Sequence, residues 1–168
     1  YGELIERTNA TSDSETFTYD SSGNMTSHTD FEDNTTEYEY NSLGLVVKVT
    51  HPDSTSTYYE YETGGCSCSG GGGRVTSITL PGEGEGEAEI LFDYDNNGNL
   101  ILQTDPMSRE TAYEYDSMNN LVKITTEGQR EQTYEYDLLG NMVASTDFEG
   151  RITGYEYDYR GLMTKTWL

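Results

Sequence analysis

Tyr134-Glu135-Tyr136-Asp137-Leu138-Leu139-Gly140-Asn141-Met142-Val143 repeats, 21 residues later, the pattern of Tyr113-Glu114-Tyr115-Asp116-Ser117-Met118-Asn119-Asn120-Leu121-Val122. The same tyrosine recurs at Tyr19, Tyr40, Tyr61, Tyr94, Tyr115, Tyr136 and Tyr157, and every interval is 21 residues except the one from Tyr61 to Tyr94. Four residues after each tyrosine stand Gly23, Gly44, Gly65, Gly98, Asn119, Gly140 and Gly161. The single exception is Asn, the other residue that tolerates a positive φ. Two residues before each tyrosine is another aromatic: Phe17, Tyr38, Tyr59, Phe92, Tyr113, Tyr134 and Tyr155. Where the register is intact, an apolar residue follows two positions after the Gly or Asn, at Met25, Val46, Leu100, Leu121, Met142 and Met163.

Aromatics at i and i+2 share one face of a strand, and Glu39, Glu60, Glu114, Glu135 and Glu156 between them point to the other face. Asp-x-x-Gly-Asn is turn chemistry, with Asp opening the turn and a left-handed residue closing it, as in a short hairpin with a G1 bulge. The following segment, such as Leu121-Val122-Lys123-Ile124-Thr125, is rich in β-branched residues and makes the return strand. A second turn closes each unit at Asp105-Pro106-Met107-Ser108-Arg109 and Asp147-Phe148-Glu149-Gly150-Arg151, with Thr126-Glu127-Gly128-Gln129-Arg130 as a variant. No stretch has a helical period.

Each repeat is therefore one β-hairpin about 20 Å tall, and successive hairpins pair side by side. Seven units give about fifteen strands in one extended, twisted antiparallel sheet roughly 70 Å long. The fold class is all-β, and residues 1–168 form a single repeat array, with each hairpin burying its aromatic face only when a neighbour covers it. One question stays open along the return strand. Lys48, Lys123 and Lys165 lie two residues after the apolar column and share its face in an unbulged strand, so either a bulge or a snorkelling lysine is required.

Composition agrees with a thin layer rather than a deep core. Only 33% of the 168 residues are hydrophobic, mean hydropathy is -0.76, and 15 Tyr accompany 4 Phe and 1 Trp. Tyrosine can pack its ring while its hydroxyl stays wet. The formal net charge of -22 repels phosphate backbones and anionic lipid, which argues against nucleic acid as a partner. The acidic residues are spread at recurring positions, unlike a disordered acidic tail. No apolar run approaches the roughly 18 residues needed for a membrane-spanning helix, so no membrane insertion is expected. The sequence starts in mid-repeat without a signal-like segment and reads as a piece of a longer protein.

On these residues the chain resembles the YD repeat of RHS-type proteins: Tyr-Glu-Tyr-Asp-x-x-Gly-Asn-Leu with Asp-Pro-x-x-Arg, on a 21-residue period, across essentially the whole chain. The family includes bacterial polymorphic toxins, cocoon subunits of insecticidal toxin complexes, and teneurin cell-surface receptors. The resemblance implies a long sheet spiralling into a hollow shell, which in toxins encloses a C-terminal effector and in teneurins supports adhesion. Family shells are far longer than seven repeats, so this chain would form an arc. The family's self-cleaving region has no counterpart after the last repeat, Asp105-Pro106 is a lone inter-repeat turn, and no protease site is carried over.

Departures from the repeat are candidates for other chemistry. Aligning Pro81 with Pro52 makes Gly73 the equivalent of Gly44, which leaves a Gly/Cys-rich turn insertion at 64–73 and a Gly/Glu turn insertion at 82–89. The first reads as a lengthened, flexible hairpin tip. Cys66 and Cys68 leave alternatives open: a soft-metal pair that lacks two further ligands, a strained disulfide, or a link to another chain. As a phosphate loop the stretch fails, because Gly71-Gly72 stand where Lys-Ser/Thr must be. His28 and His51 occupy different repeat positions with no recurring nucleophile beside them, and read as solvated turn or strand residues. The acidic ladder lacks the dense oxygen alternation of a calcium loop, so no metal or cofactor is assigned. Asn9, Asn24 and Asn34 begin N-x-Ser/Thr triplets, the N-glycosylation pattern; about two such matches arise by chance in so Thr/Ser-rich a chain, and they mark permissive surface positions at most. The tyrosine columns could stack a surface glycan, although a repeated tyrosine is more often packing.

The expectation is thus a structural, non-enzymatic segment of a large secreted or cell-surface protein, part of a β-shell that encloses or displays an effector. Its partners would be neighbouring repeats of the same or an identical chain. The alternative is an extracellular filament or adhesin module built from the same stacked repeats.

Overall fold

A computed structural model describes residues 2–62, 73–82 and 88–168. Fifteen strands, β1 to β15, succeed one another in the sheet in the order in which they occur in the chain, and no helix occurs among the described residues. Among the described residues no helix is long and apolar enough to cross a membrane. The chain divides into two compact units, Tyr1–Glu89 and Ile90–Leu168.

The first unit contains β1 (Glu6–Thr8), β2 (Ser14–Tyr19), β3 (Met25–Thr29), β4 (Thr35–Tyr40), β5 (Val46–Thr50), β6 (Ser56–Tyr61) and β7 (Val75–Leu80), and ends within β8 (Ala88–Tyr94). From β1 to β7 each strand pairs antiparallel with the next. The second unit continues from β8 with β9 (Leu100–Thr104), β10 (Glu110–Tyr115), β11 (Leu121–Thr126), β12 (Arg130–Tyr136), β13 (Met142–Thr146), β14 (Ile152–Tyr157) and β15 (Met163–Trp167). Its pairing follows the same pattern. These are the two-strand repeats that the 21-residue period requires.

Register explains why the period is strict. Each repeat tyrosine lies opposite the first apolar residue of its return strand: Tyr19 with Met25, Tyr40 with Val46, Tyr61 with Val75, Tyr94 with Leu100, Tyr115 with Leu121, Tyr136 with Met142 and Tyr157 with Met163. One step further the register slips, so that Glu39 faces Lys48 while Tyr40 faces Val46. The slip is a bulge at Val47, and it recurs at Val122 and Thr164. The bulge answers the lysine question. An extra residue between Val46 and Lys48 turns Lys48 to the face opposite the tyrosines.

Two faces result. The aromatic columns from Phe17 and Tyr19 to Tyr155 and Tyr157 are half-buried, while Glu39, Glu60, Glu114, Glu135 and Glu156 are exposed on the other side. Among the described residues no apolar side chain is fully buried, and only Glu15, Thr57 and Ser77 appear as buried polar residues. A single layer with no second layer against it gives this burial pattern. Stability rests on ladder hydrogen bonds and on side chains meeting across neighbouring strands.

Candidate functional site

The repeating constellation is the tyrosine, its turn and the preceding strand. Tyr40 Oη donates to the Met25 carbonyl at 2.7 Å, Tyr61 Oη to Val46 at 2.6 Å, and Tyr157 Oη to Met142 at 2.8 Å. Each acceptor lies 15 residues earlier, on the return strand of the preceding repeat. Tyr19 makes the same reach, to Leu4 at 3.1 Å. The hydroxyl expected to stay wet is thus used as a clamp between repeats. Burial holds Tyr40, Tyr61, Tyr115 and Tyr136 above the usual phenol range, with the neighbouring tyrosine Tyr38, Tyr59, Tyr113 or Tyr134 adding to it.

The Asp-x-x-Gly-Asn turn is closed by its own side chains. Asp137 N donates to the Asn141 carbonyl at 2.9 Å and Gly140 N to the Asp137 carbonyl at 3.0 Å. The Asp137 carboxylate accepts from Leu139 N, Asn141 N and Asn141 Nδ2 at 2.8, 2.9 and 2.9 Å. Gly140 has φ 83° and Asn119, in the equivalent place, φ 64°. The Asn141 side-chain bond, followed by the backbone bonds, holds the Asp137 carboxyl below the usual carboxylate range.

The second turn of the repeat is built the same way, which the Asp-Pro-x-x-Arg pattern did not disclose. Asp105 accepts from Met107 N at 2.9 Å and Arg109 N at 3.0 Å, and the Arg109 guanidinium takes the place of the Asn amide, its Nε 2.6 Å from Asp105 Oδ2. Left-handed residues close these turns too, but many are not glycine: Ser12, Asp33, Ser54 and Ser108 have φ of 74°, 62°, 69° and 60°. The signal present in the sequence was Asp or Asn at one position with a hydrogen-bonding side chain four residues on. The 126–130 variant differs, with both Gly128 and Gln129 at positive φ.

The charged face carries cross-strand pairs: Lys48 with Glu39 at 2.9 Å, Lys123 with Glu131 at 2.7 Å and Glu114 at 3.3 Å, and Lys165 with Glu156 at 3.5 Å. The two histidines are a strand and a turn residue as expected, but half-buried and partnered rather than fully solvated. His28 stacks on Phe17 with ring centroids 4.9 Å apart and lies 2.7 Å from the Glu15 carboxylate. His51 Nε2 is 2.9 Å from Thr57 Oγ1. Glu15 is buried, also pairs with Arg7, and is held below the usual range chiefly by the His28 hydrogen bond.

The triplet asparagines are turn residues. Asn9 opens a turn, its Oδ1 accepting from Thr11 N at 2.9 Å and Asp13 N at 3.0 Å, while Asn24 and Asn34 close theirs with Nδ2 on Asp20 and Asp30. Cys66 and Cys68, and most of the insertions at 64–73 and 82–89, lie outside the described residues. Among the described residues no cluster of three His, Cys, Asp or Glu has metal-binding geometry.

Comparison with known proteins gives a consistent picture. The RHS Repeat family model matches residues 1–35, 94–131 and 121–152, more than half of the chain. No curated protein matches the sequence. Among solved structures, the TcdB2-TccC3 crystal structure aligns over 98% of this chain and 10% of its own, with a TM-score of 0.76 and 15% identity. The TcdB2-TccC3-Cdc42 crystal structure aligns over 79% of this chain and 7% of its own, with a TM-score of 0.65 and 18% identity. A Photorhabdus luminescens Tc holotoxin pore with a TccC3 substitution aligns over 99% and 11%, with a TM-score of 0.61 and 17% identity. The chain spans about a tenth of the length of the structures it matches, and at these identities the likeness is one of fold.

Proposed function

Because this chain belongs to the RHS repeat family, we propose that it is a non-enzymatic wall segment of a longer secreted or cell-surface protein, contributing part of a β-shell that encloses or displays a toxin or effector. The observation that carries this reading is a fifteen-strand layer without a buried apolar core among its described residues. Such a layer is poorly suited to hold a catalytic pocket rigidly, but it can be extended without limit by adding repeats, and a tyrosine clamp like those of Tyr40, Tyr61 and Tyr157 can join an added repeat to the one before it. The exposed carboxylates on one face, with lysines interspersed, keep that face solvated and resist stacking of one layer on another. The fold shared with the TcdB2-TccC3 structures supports an enclosing role over the filament alternative.

Electron microscopy of native particles of the longer protein tests the proposal. Closed, hollow capsules are expected, and long filaments with repeats joined end to end would overturn it. The enclosed polypeptide would then be identified by mass spectrometry of particles after their exterior has been shaved with protease.

A further inference from the structure

Asn97 is followed by Gly98, and no other asparagine of the chain precedes a glycine. The pair matters because the side-chain amide of an asparagine is open to attack by the backbone nitrogen of the next residue, and a glycine there brings no Cβ to obstruct the ring that forms. At the same place in the other units, just before the Gly or Asn of the turn, stand Ser22, Leu43, Gly64, Met118, Leu139 and Arg160. None of those side chains carries a carbonyl that can be attacked.

Asn97 is exposed at the tip of the hairpin between β8 and β9. Its Nδ2 donates to Asn119 Oδ1 at 3.1 Å, and Asn99 Nδ2 donates to the same oxygen at 2.9 Å. Asn119 belongs to the next tip, between β10 and β11, and stands where six repeats have glycine. Two departures from the repeat thus bond to each other. Asn119 is held at φ 64°, a conformation that glycine adopts with less strain, and its side chain ties down the amides of the neighbouring tip. Asn24, Asn34, Asn99, Asn120 and Asn141 differ from Asn97: each is held by the aspartate that opens its own turn, and each precedes a residue with a Cβ.

We propose that Asn97–Gly98 is a site of spontaneous deamidation, and that Asn119 of the following repeat restrains it. Gly98 N attacks Asn97 Cγ: the N–Cγ bond forms, the proton on Gly98 N passes to solvent, and the Cγ–Nδ2 bond breaks as ammonia leaves with a proton from water. Water then adds across one of the two C–N bonds of the cyclic imide, giving either aspartate or an isoaspartyl linkage at position 97. Water is the sole co-reactant.

Two bonds oppose the first step. Gly98 N donates to the Asp95 carbonyl at 3.0 Å, and Asn119 Oδ1 holds the amide that must turn toward that nitrogen. Both lie at a hairpin tip, where local opening costs far less than global unfolding, and the rate follows that opening. Either product replaces the amide donor with a carboxylate beside Asn119 Oδ1, in a chain already at a formal net charge of -22. The isoaspartyl form also adds a methylene to the main chain of a turn that Asp95 Oδ1 fixes through Asn97 N at 2.9 Å and Asn99 N at 2.8 Å. The joint between two successive hairpins loosens as a result. This inference goes beyond the wall reading and does not rest on it.

The test is incubation of the 168-residue chain in mildly alkaline water enriched in oxygen-18, followed by peptide mapping with mass spectrometry that separates aspartate from isoaspartate. Label is expected at residue 97 ahead of every other asparagine, with both products present. Asn119→Gly should raise the rate at residue 97 about threefold or more, the factor expected when one hydrogen bond no longer holds the amide. That variant puts the glycine of the other repeats at a left-handed position, so it leaves its own turn unstrained. Unchanged rates at Asn24 and Asn141 then separate a lost restraint from general unfolding. Earlier labelling of another asparagine, no label at residue 97 by the time the urea-denatured chain has converted there, an unchanged rate in Asn119→Gly, or equal acceleration of all asparagines would each overturn the proposal.

Discussion

Replacing Tyr61 with Phe removes one oxygen atom, and the account assigns that atom a definite task. Tyr61 Oη donates to the Val46 carbonyl at 2.6 Å, across 15 residues, joining β6 to the bulged start of β5. The ring is half-buried and remains in the variant, so the change isolates the hydrogen bond from the packing. A neutral intramolecular bond contributes about 0.5–1.5 kcal/mol net. The carbonyl sits at the edge of a single layer, where water can replace the lost donor, so the cost should be about 1 kcal/mol or slightly less. For a chain of this size that corresponds to a fall in melting temperature of roughly 2–4 °C. Because repeat arrays need not unfold in one step, denaturant melting is best paired with residue-resolved hydrogen exchange. Protection should fall in β5 and β6 while β2 keeps its own. Tyr159→Phe, at an almost fully exposed site, is the control and should change nothing measurable. If Tyr61→Phe and Tyr159→Phe are indistinguishable by both methods, the tyrosine clamp is decorative and the reasoning fails.

Other consequences follow from the same geometry. Burial raises the phenols of Tyr40, Tyr61, Tyr115 and Tyr136 above the usual phenol range. A raised folded value means that the folded state holds its protons longer, so this contribution is complete below pH ~10 and is lost as pH rises through the folded values; ultraviolet titration should show a late-ionising subset of tyrosines that disappears on unfolding. Gly140→Ala places a side chain at φ 83° with nothing within 4 Å of the new Cβ, so about 1 kcal/mol of purely conformational destabilisation is expected in urea melts. Gly154→Ala fails differently, because its Cβ would collide with the Trp167 ring; displacement of the indole should shift the emission of the chain's single tryptophan. Lys123→Met removes pairs to Glu114 and Glu131 that are largely solvent-exposed, and a loss below about 1 kcal/mol, vanishing at high salt, is expected from melts at two ionic strengths.

The hairpins could be read from the sequence because two independent periodicities coincide in each repeat. Alternation places Tyr113 and Tyr115 on one face and Glu114 on the other, and Asp116 with Asn119 announces the turn. Those features are local, and local chemistry decides them. The bulge at Val122 was half-legible: the lysine column called for either a bulge or a snorkelling side chain, and only the pairing of Glu114 with Lys123 decides for the slip. The tyrosine clamp escaped altogether. Its acceptor is a backbone carbonyl, which every residue has, so nothing in the side-chain pattern points to Met25 or Val46. The equivalence of the two turns was partly visible, since Asp105 and Arg109 have the spacing of Asp116 and Asn120, but the left-handed Ser108 gave no glycine to mark it.

Lateral joining of repeats is tested most directly by cross-strand proton contacts in an isotope-labelled sample of the chain. Nuclear Overhauser effects between the backbones of Lys48 and Tyr58, and between those of Lys123 and Thr133, link the return strand of one repeat to the leading strand of the next. The account predicts that they are as strong as those within a hairpin, such as Tyr38 with Val49. Contacts confined to single hairpins, with none linking one repeat to the next, would contradict it.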